Sequence, residues 1–262
     1  MTKALAYRML LARASPARSS KRDVQYIGAG IPLRIMPLGA SITYGIQSSD
    51  GNGYRNILRT RLVTGGNAVN MVGSRKAGSM VDNDVEGWPG YIIDQVHDKG
   101  HQSAPVWKPN VFLINAGTND CIQNVNITTA GTRLRKLVHD MVADSPEATI
   151  ILSSLLVNGD SATEARVQIV NPQIQDLVND FRMAGVRVIY AEMHGPDGPQ
   201  VSDLVDGTHP NDGGYAKMAA IWYNALVDAS NLGFLQTAES VPGVPDNGGP
   251  VRNQKTSTMY IS

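Results

Sequence analysis

The sequence predicts an α/β chain: a three-layer α/β/α sandwich around a five-stranded parallel sheet, flavodoxin-like in arrangement. Three observations lead there. Five apolar runs of strand length alternate with segments whose apolar residues recur at helical spacing, the pattern of parallel strands joined by crossover helices. The run 149–156 is nearly all apolar, as a strand covered on both faces must be. The 262 residues are 42% hydrophobic and 18% charged, which suits one domain with a sizeable core.

In chain order, the first strand is 33–38 and ends on the small-residue turn Gly39-Ala40-Ser41. A helix follows at 54–63 and a second strand at 68–72. The third strand, Val111-Phe112-Leu113-Ile114, leads to a helix whose Leu134, Leu137, Val138, Met141 and Val142 form one stripe. That spacing marks a face turned to the core, not a cofactor box. The fourth strand is 149–156. Ile174, Leu177, Val178 and Phe181 repeat the helical stripe, and Asn171-Pro172 either kinks that helix or restarts it. The fifth strand is 186–190, and the last helix is 212–229. Beyond Leu235 the chain turns rich in Pro, Gly and Asn and loses periodicity. The expected organisation is an extension at 1–30, a single α/β domain at 31–235 and a tail at 236–262, with no internal repeats.

Composition narrows the function. Lys plus Arg equals Asp plus Glu at 23 each, so the chain carries no net field for gripping a phosphate backbone, and nucleic acid is not an expected partner. Cys121 is the only cysteine, which excludes an intramolecular disulfide and a multi-cysteine zinc site. His97, His101, His139 and His194 lack paired metal-ligand spacing. Asp50, Asn52, Asp82, Asn83 and Asp84 make oxygen-rich loops without EF-hand spacing. No metal and no cofactor is expected. No run approaches the ~20 apolar residues of a membrane-spanning helix, so no membrane partner is expected. The first 22 residues carry Lys3, Arg8, Arg13, Arg18, Lys21 and Arg22 before any acid. Their apolar piece is too short for a secretory signal, which leaves a transit peptide or an extension without structure. Asn126-Ile127-Thr128 is a glycosylation sequon, relevant only to a secreted chain.

In open α/β sheets the ligand crevice lies at the carboxyl ends of the strands. Three chemically loaded segments fall there. Asp206-Gly207-Thr208-His209-Pro210 places a carboxylate and an imidazole three residues apart ahead of a helix. A carboxylate that holds one ring nitrogen leaves the other free to take a proton from a hydroxyl. Ser41 supplies a hydroxyl beside a small-residue turn where backbone N–H groups can approach a reacting oxygen. Asn115 to Asp120 ends the third strand and can aim an amide at developing negative charge. Gly87-Trp88-Pro89-Gly90-Tyr91 offers a glycine N–H of the same use. Taken singly, each segment also reads as ordinary turn chemistry. The chain lacks the G-x-S-x-G elbow of the usual α/β-hydrolases.

Together, Pro37 to Gly45, Gly87 to Tyr91, Gly117 to Asp120 and Asp206 to His209 resemble the four blocks of the SGNH (GDSL-like) hydrolases, in order and at suitable spacing. "MPLGASITYG", "VEGWPGYIIDQV" and "DGTHPNDGGYAKMA" are similar to carbohydrate esterase family 3, the acetylxylan-esterase-like group. The resemblance implies a metal-free catalytic triad with Ser41 as nucleophile, His209 as general base and Asp206 as its orienting acid. It implies an oxyanion hole from the N–H of Ser41, the N–H of Gly90 and the side-chain amide of Asn119. It also implies an esterase for acetyl groups on a small-molecule or polysaccharide substrate such as acetylated xylan, and an extracellular setting. Where the family reads Gly-Asp-Ser, this chain reads Gly39-Ala40-Ser41.

Asp203 is a second candidate for the orienting acid, weaker than Asp206 because it stands farther from His209. Tyr44, Trp88 and Tyr91 flank the expected pocket and either stack on a sugar ring or simply pack. Two other functions remain open on sequence: a lysophospholipase or thioesterase of the same fold, and a non-catalytic sugar-binding protein.

Overall fold

The computed structural model describes residues 26–248; the arginine-rich leader and the last residues of the tail lie outside them. Strands β1 (Leu33–Gly39), β2 (Val69–Met71), β5 (Val111–Asn115), β6 (Thr149–Ser153) and β7 (Val188–Ala191) are the five parallel strands read from the sequence. They pair in the order β2-β1-β5-β6-β7, the flavodoxin-like arrangement. Every residue of β1, β5 and β6 is buried, which is why these strands read as apolar runs and not as alternating ones.

Among the described residues the sheet has seven strands, not five. Lys76 and Arg75 form β3 (Arg75–Lys76), antiparallel to β4 (Asp84–Gly87), and β4 runs parallel to β1. Along one edge of β1, β2 pairs with Leu33–Ile35 and β4 with Leu38–Gly39. The added strand therefore takes over where β2 ends, and brings the 87–91 turn beside the end of β1. Its four residues include Asp84 and Glu86, so it carries no apolar run for a sequence reading to find.

Helices cover both faces. Alternate residues of β1 serve opposite sides: Met36 and Leu38 pack with α3 (Ile93–Trp107), α5 (Ala130–Asp144) and α6 (Ser161–Met183). Leu33 and Ile35 pack with α2 (Arg55–Thr64) and α7 (Asp212–Asn231). The stripe at Leu134, Leu137, Val138 and Met141 is fully buried, with Val142 at its margin. Helix α6 runs through Pro172 unbroken. Asn171, just before it, bonds both the N–H and the carbonyl of buried Leu155 through its side chain.

At both ends the fold extends past the sequence boundaries of 31 and 235. Ile27 is buried and its N–H donates to Asn67 Oδ1 at 3.1 Å. Residues 236–248 have no regular structure, yet they cross the amino-terminal end of the sheet. Buried Arg34 donates to the carbonyl of Glu239 at 2.8 Å and to Asp246 Oδ1 at 3.2 Å. Asn110 donates to the carbonyl of Gln236 at 2.7 Å, and Asn70 to that of Pro245. This strap lies at the end of the sheet opposite Ser41.

Candidate active site

β1 delivers Ser41 to the carboxyl edge of the sheet as the first residue of a single-turn helix, α1 (Ser41–Tyr44). The approach is tight: a Cβ on Gly39 would run into the carbonyl oxygen of Asn115 and the hydroxyl of Thr43, so only glycine lets β1 and β5 close behind the serine. His209 comes from the far end of the chain. Its loop is closed by an antiparallel bridge between Leu204 and Pro210 and by the Val205 N–H donating to the His209 carbonyl at 2.9 Å. Asn211 then caps α7 by accepting from the N–H of Gly214 at 2.9 Å.

These elements put three side chains in one line. His209 Nε2 lies 2.8 Å from Ser41 Oγ, and His209 Nδ1 lies 2.8 Å from Asp206 Oδ2. Asp206 Oδ1 also accepts the N–H groups of His209 at 2.8 Å and Thr208 at 3.1 Å. Burial works against ionising Asp206, but these bonds outweigh it and hold the carboxyl down at about 2. An ionised carboxylate only accepts, so the bonded Nδ1 carries the proton. Nε2 of the neutral ring is then the acceptor for the Ser41 hydroxyl. Asp203 is engaged elsewhere, accepting from Lys217 Nζ at 2.6 Å and from the Gln200 N–H at 2.8 Å. That engagement leaves Asp206 as the acid on His209.

Gly90 and Asn119 lie on two further turns, which follow β4 and β5. Gly90 is exposed and adopts a left-handed φ of 85°, with open space where a Cβ would stand. Asn119 sits in the first turn of α4 (Thr118–Gln123), where its amide donates one hydrogen to the Tyr91 carbonyl at 2.9 Å. The second amide hydrogen remains for another acceptor. Asn115 is not available for that task. Its amide is spent in the core on Ser153 Oγ at 2.8 Å and the Ser154 carbonyl at 3.3 Å.

The sequence reading missed the groups that brace these turns. Buried Asp120 accepts from the Ile93 N–H at 3.0 Å and pairs with Arg133. Burial pushes its carboxyl up, against the pull of Arg133 and the Ile93 N–H. Glu86, fully buried in β4, accepts from the Ser74 N–H and hydroxyl, from Ser103 Oγ and from Trp88 Nε1 at 2.6 Å. Asp120 was legible as the neighbour of Asn119; Arg133, which lies between the core positions of α5, carried no signal.

Of the three aromatic residues, Trp88 stacks on Tyr91 with centroids 5.4 Å apart. Arg75 lies over the rings of both Tyr44 and Trp88, and Lys99 over that of Trp88. Each of the three rings thus has at least one protein group against it, and all three stay partly exposed. Cys121 is buried, and burial pushes its thiol up to about 12. His97, His101 and His194 are bonded to Asp140, Asp144 and Glu164. Asp82 pairs with Arg59 and Asp84 with Lys76. Among the described residues no group of three or more His, Cys, Asp or Glu is disposed to hold a metal ion, and no helix is long and apolar enough to cross a membrane. A cavity of about 590 Å³ lies between β7 and α7, lined by Tyr190, Glu192, Ile221 and Asp228 among others. None of the reactive groups lines it; Ser41 and His209 are half-buried at the surface.

Residues 38–217 match the GDSL-like lipase/acylhydrolase family. The chain belongs to this family. The matched span holds Ser41, Gly90, Asn119, Asp206 and His209. A multidomain esterase of Ruminococcus flavefaciens is 29% identical over 265 residues, covering 87% of this chain and 34% of that protein. The chain thus spans about a third of the length of this relative. A family 3 carbohydrate esterase of Clostridium thermocellum is similar in structure, with a TM-score of 0.68 and 26% identity over 76% of this chain and 98% of that one. A carbohydrate esterase family 3 protein from Talaromyces cellulolyticus shares the fold, with a TM-score of 0.66 and 22% identity over 76% and 98% of the two chains. This chain thus carries a GDSL-like lipase/acylhydrolase domain with a mostly parallel central sheet.

Proposed function

We propose that this GDSL-like chain is a serine esterase that removes short acyl groups, acetyl foremost, from carbohydrate hydroxyls, as in acetylated xylan. The observation that carries the reading is the unbroken line from Asp206 through His209 to Ser41, with both links at 2.8 Å. Ser41 Oγ attacks the ester carbonyl as its proton passes to His209 Nε2. The carbonyl oxygen, now negative, is met by the N–H of Ser41, the N–H of Gly90 and the free hydrogen of the Asn119 amide. His209 hands its proton to the departing sugar oxygen, leaving the acyl group on Ser41. Water then enters, gives its proton to His209 and attacks the acyl carbonyl. Collapse of this second intermediate frees acetate and restores the serine. Asp206 keeps the ring oriented and its charge compensates the imidazolium in both halves.

Hydrolysis of p-nitrophenyl acetate by the wild type beside Ser41→Ala and His209→Ala tests this reading. Turnover is expected to fall by about 10⁴-fold or more in each variant, with circular dichroism unchanged. Activity retained in both variants places the chemistry elsewhere. A panel of acyl lengths checks the substrate class, and a clear preference for long chains moves the assignment to a lipid or thioester substrate.

A further inference from the structure

We propose that Arg75 and Lys99 form an anion-recognition patch at the rim of the Ser41 site, and that the esters cleaved belong to saccharides carrying a carboxylate, such as uronic acid units. The inference rests on the reading of Ser41 as an ester-cleaving nucleophile and names its substrate more narrowly.

The two cations are held by aromatic faces instead of by acids. The Arg75 guanidinium carbon lies 4.7 Å from the Tyr44 ring centroid and 4.6 Å from that of Trp88. Lys99 Nζ lies 4.6 Å from the Trp88 ring and 3.5 Å from Gln102 Oε1. Among the described residues neither has a carboxylate within ion-pair range, although the adjacent Lys76 is paired with Asp84 at 2.8 Å. An aromatic face attracts a cation without neutralising it. The carboxylate closest in sequence to the Trp88 ring is Glu86, and it is unavailable: it has no exposed surface and already accepts four hydrogen bonds. Arg75 Nη1 is spent on the Gly87 carbonyl at 2.8 Å. Its Nε and Nη2, which form one edge of the guanidinium fork, have no partner among the described residues. Such an edge matches the two oxygens of a carboxylate.

Placement ties the patch to the chemistry. Tyr44 stands three residues after Ser41 in α1, hence on the same side of that turn. Trp88 precedes Gly90 by two residues, and its N–H donates to the Gly39 carbonyl at 2.9 Å, just before the nucleophile. Both rings therefore belong to the segments that present Ser41 and Gly90, and the cations resting on them flank whatever extends from a bound ester.

The test compares acetate release from 1,2,3,4-tetra-O-acetyl-glucuronic acid and from its methyl ester, which differ only in the carboxylate. Wild-type kcat/KM is expected to be about tenfold higher for the acid at low salt, the effect of one charge-assisted contact. The ratio should shrink as NaCl rises to about 0.5 M, because salt screens exposed charges. Arg75→Gln and Lys99→Gln should each bring the ratio toward one through KM, and the wild-type salt response stands even if a variant fails to fold. Equal rates on the acid and its methyl ester, with p-nitrophenyl acetate hydrolysed, overturn the anion patch and leave the esterase reading intact. No hydrolysis of any of the three overturns both. Faster cleavage of a long-chain lysophospholipid than of the uronide overturns the saccharide assignment.

Discussion

The carboxylate of Asp206 collects the N–H groups of Thr208 and His209 and the ring nitrogen Nδ1 of His209 within one short turn. Those bonds require the ionised form, and they hold the carboxyl at about 2 although burial opposes them. An unfolded aspartate titrates near ~3.9, so the folded value is depressed. The sign follows: this stabilisation is complete above about pH 4 and is lost as pH falls through about 2. Urea midpoints measured from pH 5 to pH 2 should therefore drop for the wild type, with a shallower drop for Asp206→Asn. Turnover of Asp206→Asn should be lower by up to about 10⁴-fold, because an amide can donate to Nδ1 and so stabilise the wrong tautomer. A variant with wild-type turnover ends the case for Asp206. This part of the site was legible in the sequence because Asp206 and His209 are near neighbours and the turn makes its own bonds. Ser41 was legible as the hydroxyl at the small-residue turn that ends the first apolar run and through the family resemblance, but its meeting with His209 depends on how β1 and α7 are arranged.

At the scale of elements, α4 and the 90–93 turn are sewn together three times. Asn119 bonds the Tyr91 carbonyl, Asp120 the Ile93 N–H, and Gln123 the Gly90 carbonyl. The middle stitch is anchored by Arg133 of α5, whose side chain also reaches the carbonyls of Val125 and Asn126. The turns that carry the proposed oxyanion donors outside Ser41 are thus braced in part by one ion pair, between buried Asp120 and partly buried Arg133. Removing one partner of a buried pair costs about 3–5 kcal/mol when the other charge is left unpaired; here Arg133 keeps Asp94 at 3.7 Å and two carbonyls, so the cost is about 1–3 kcal/mol. Asp120→Ala should lower the urea midpoint by that equivalent. It should also reduce kcat on p-nitrophenyl acetate about tenfold or more with little change in KM, since the donors act on the transition state. Destabilisation with kcat unaltered sinks the link to catalysis. The elements that brace the site were the least legible ones. Helices α2, α5 and α7 and the five parallel strands carry apolar patterns that sequence alone exposes. By contrast, β3 and β4 are short, charged and stable only against the end of β1, so nothing local in the chain announces them.

On the scale of the whole molecule, chemistry and fastening occupy opposite ends of the sheet. Ser41 and Asn119 follow the carboxyl ends of β1 and β5, and Gly90 follows that of β4. Residues 236–248 cross the other end, where Arg34 gathers the carbonyls of Trp107, Lys108 and Glu239. The loss of periodicity after Leu235 marked this segment as a tail, because single hydrogen bonds to a distant buried arginine leave no trace in local sequence. Arg34 has only 3% of its surface exposed, so an acceptor withdrawn from it is not replaced freely by water. A buried hydrogen bond to a charged group contributes about 1.5–3 kcal/mol. Ending the chain at Leu235 removes the Glu239 acceptor and the contacts of Asn70 and Asn110. The melting temperature should fall by about 5–15 °C for a domain of this size. Turnover of p-nitrophenyl acetate at a temperature where both forms are folded should stay within about twofold, because stability and the transition-state contacts are carried by separate ends of the sheet. Unchanged melting refutes the fastening role, whereas a collapse of kcat in the folded, shortened chain refutes the separation of the two ends.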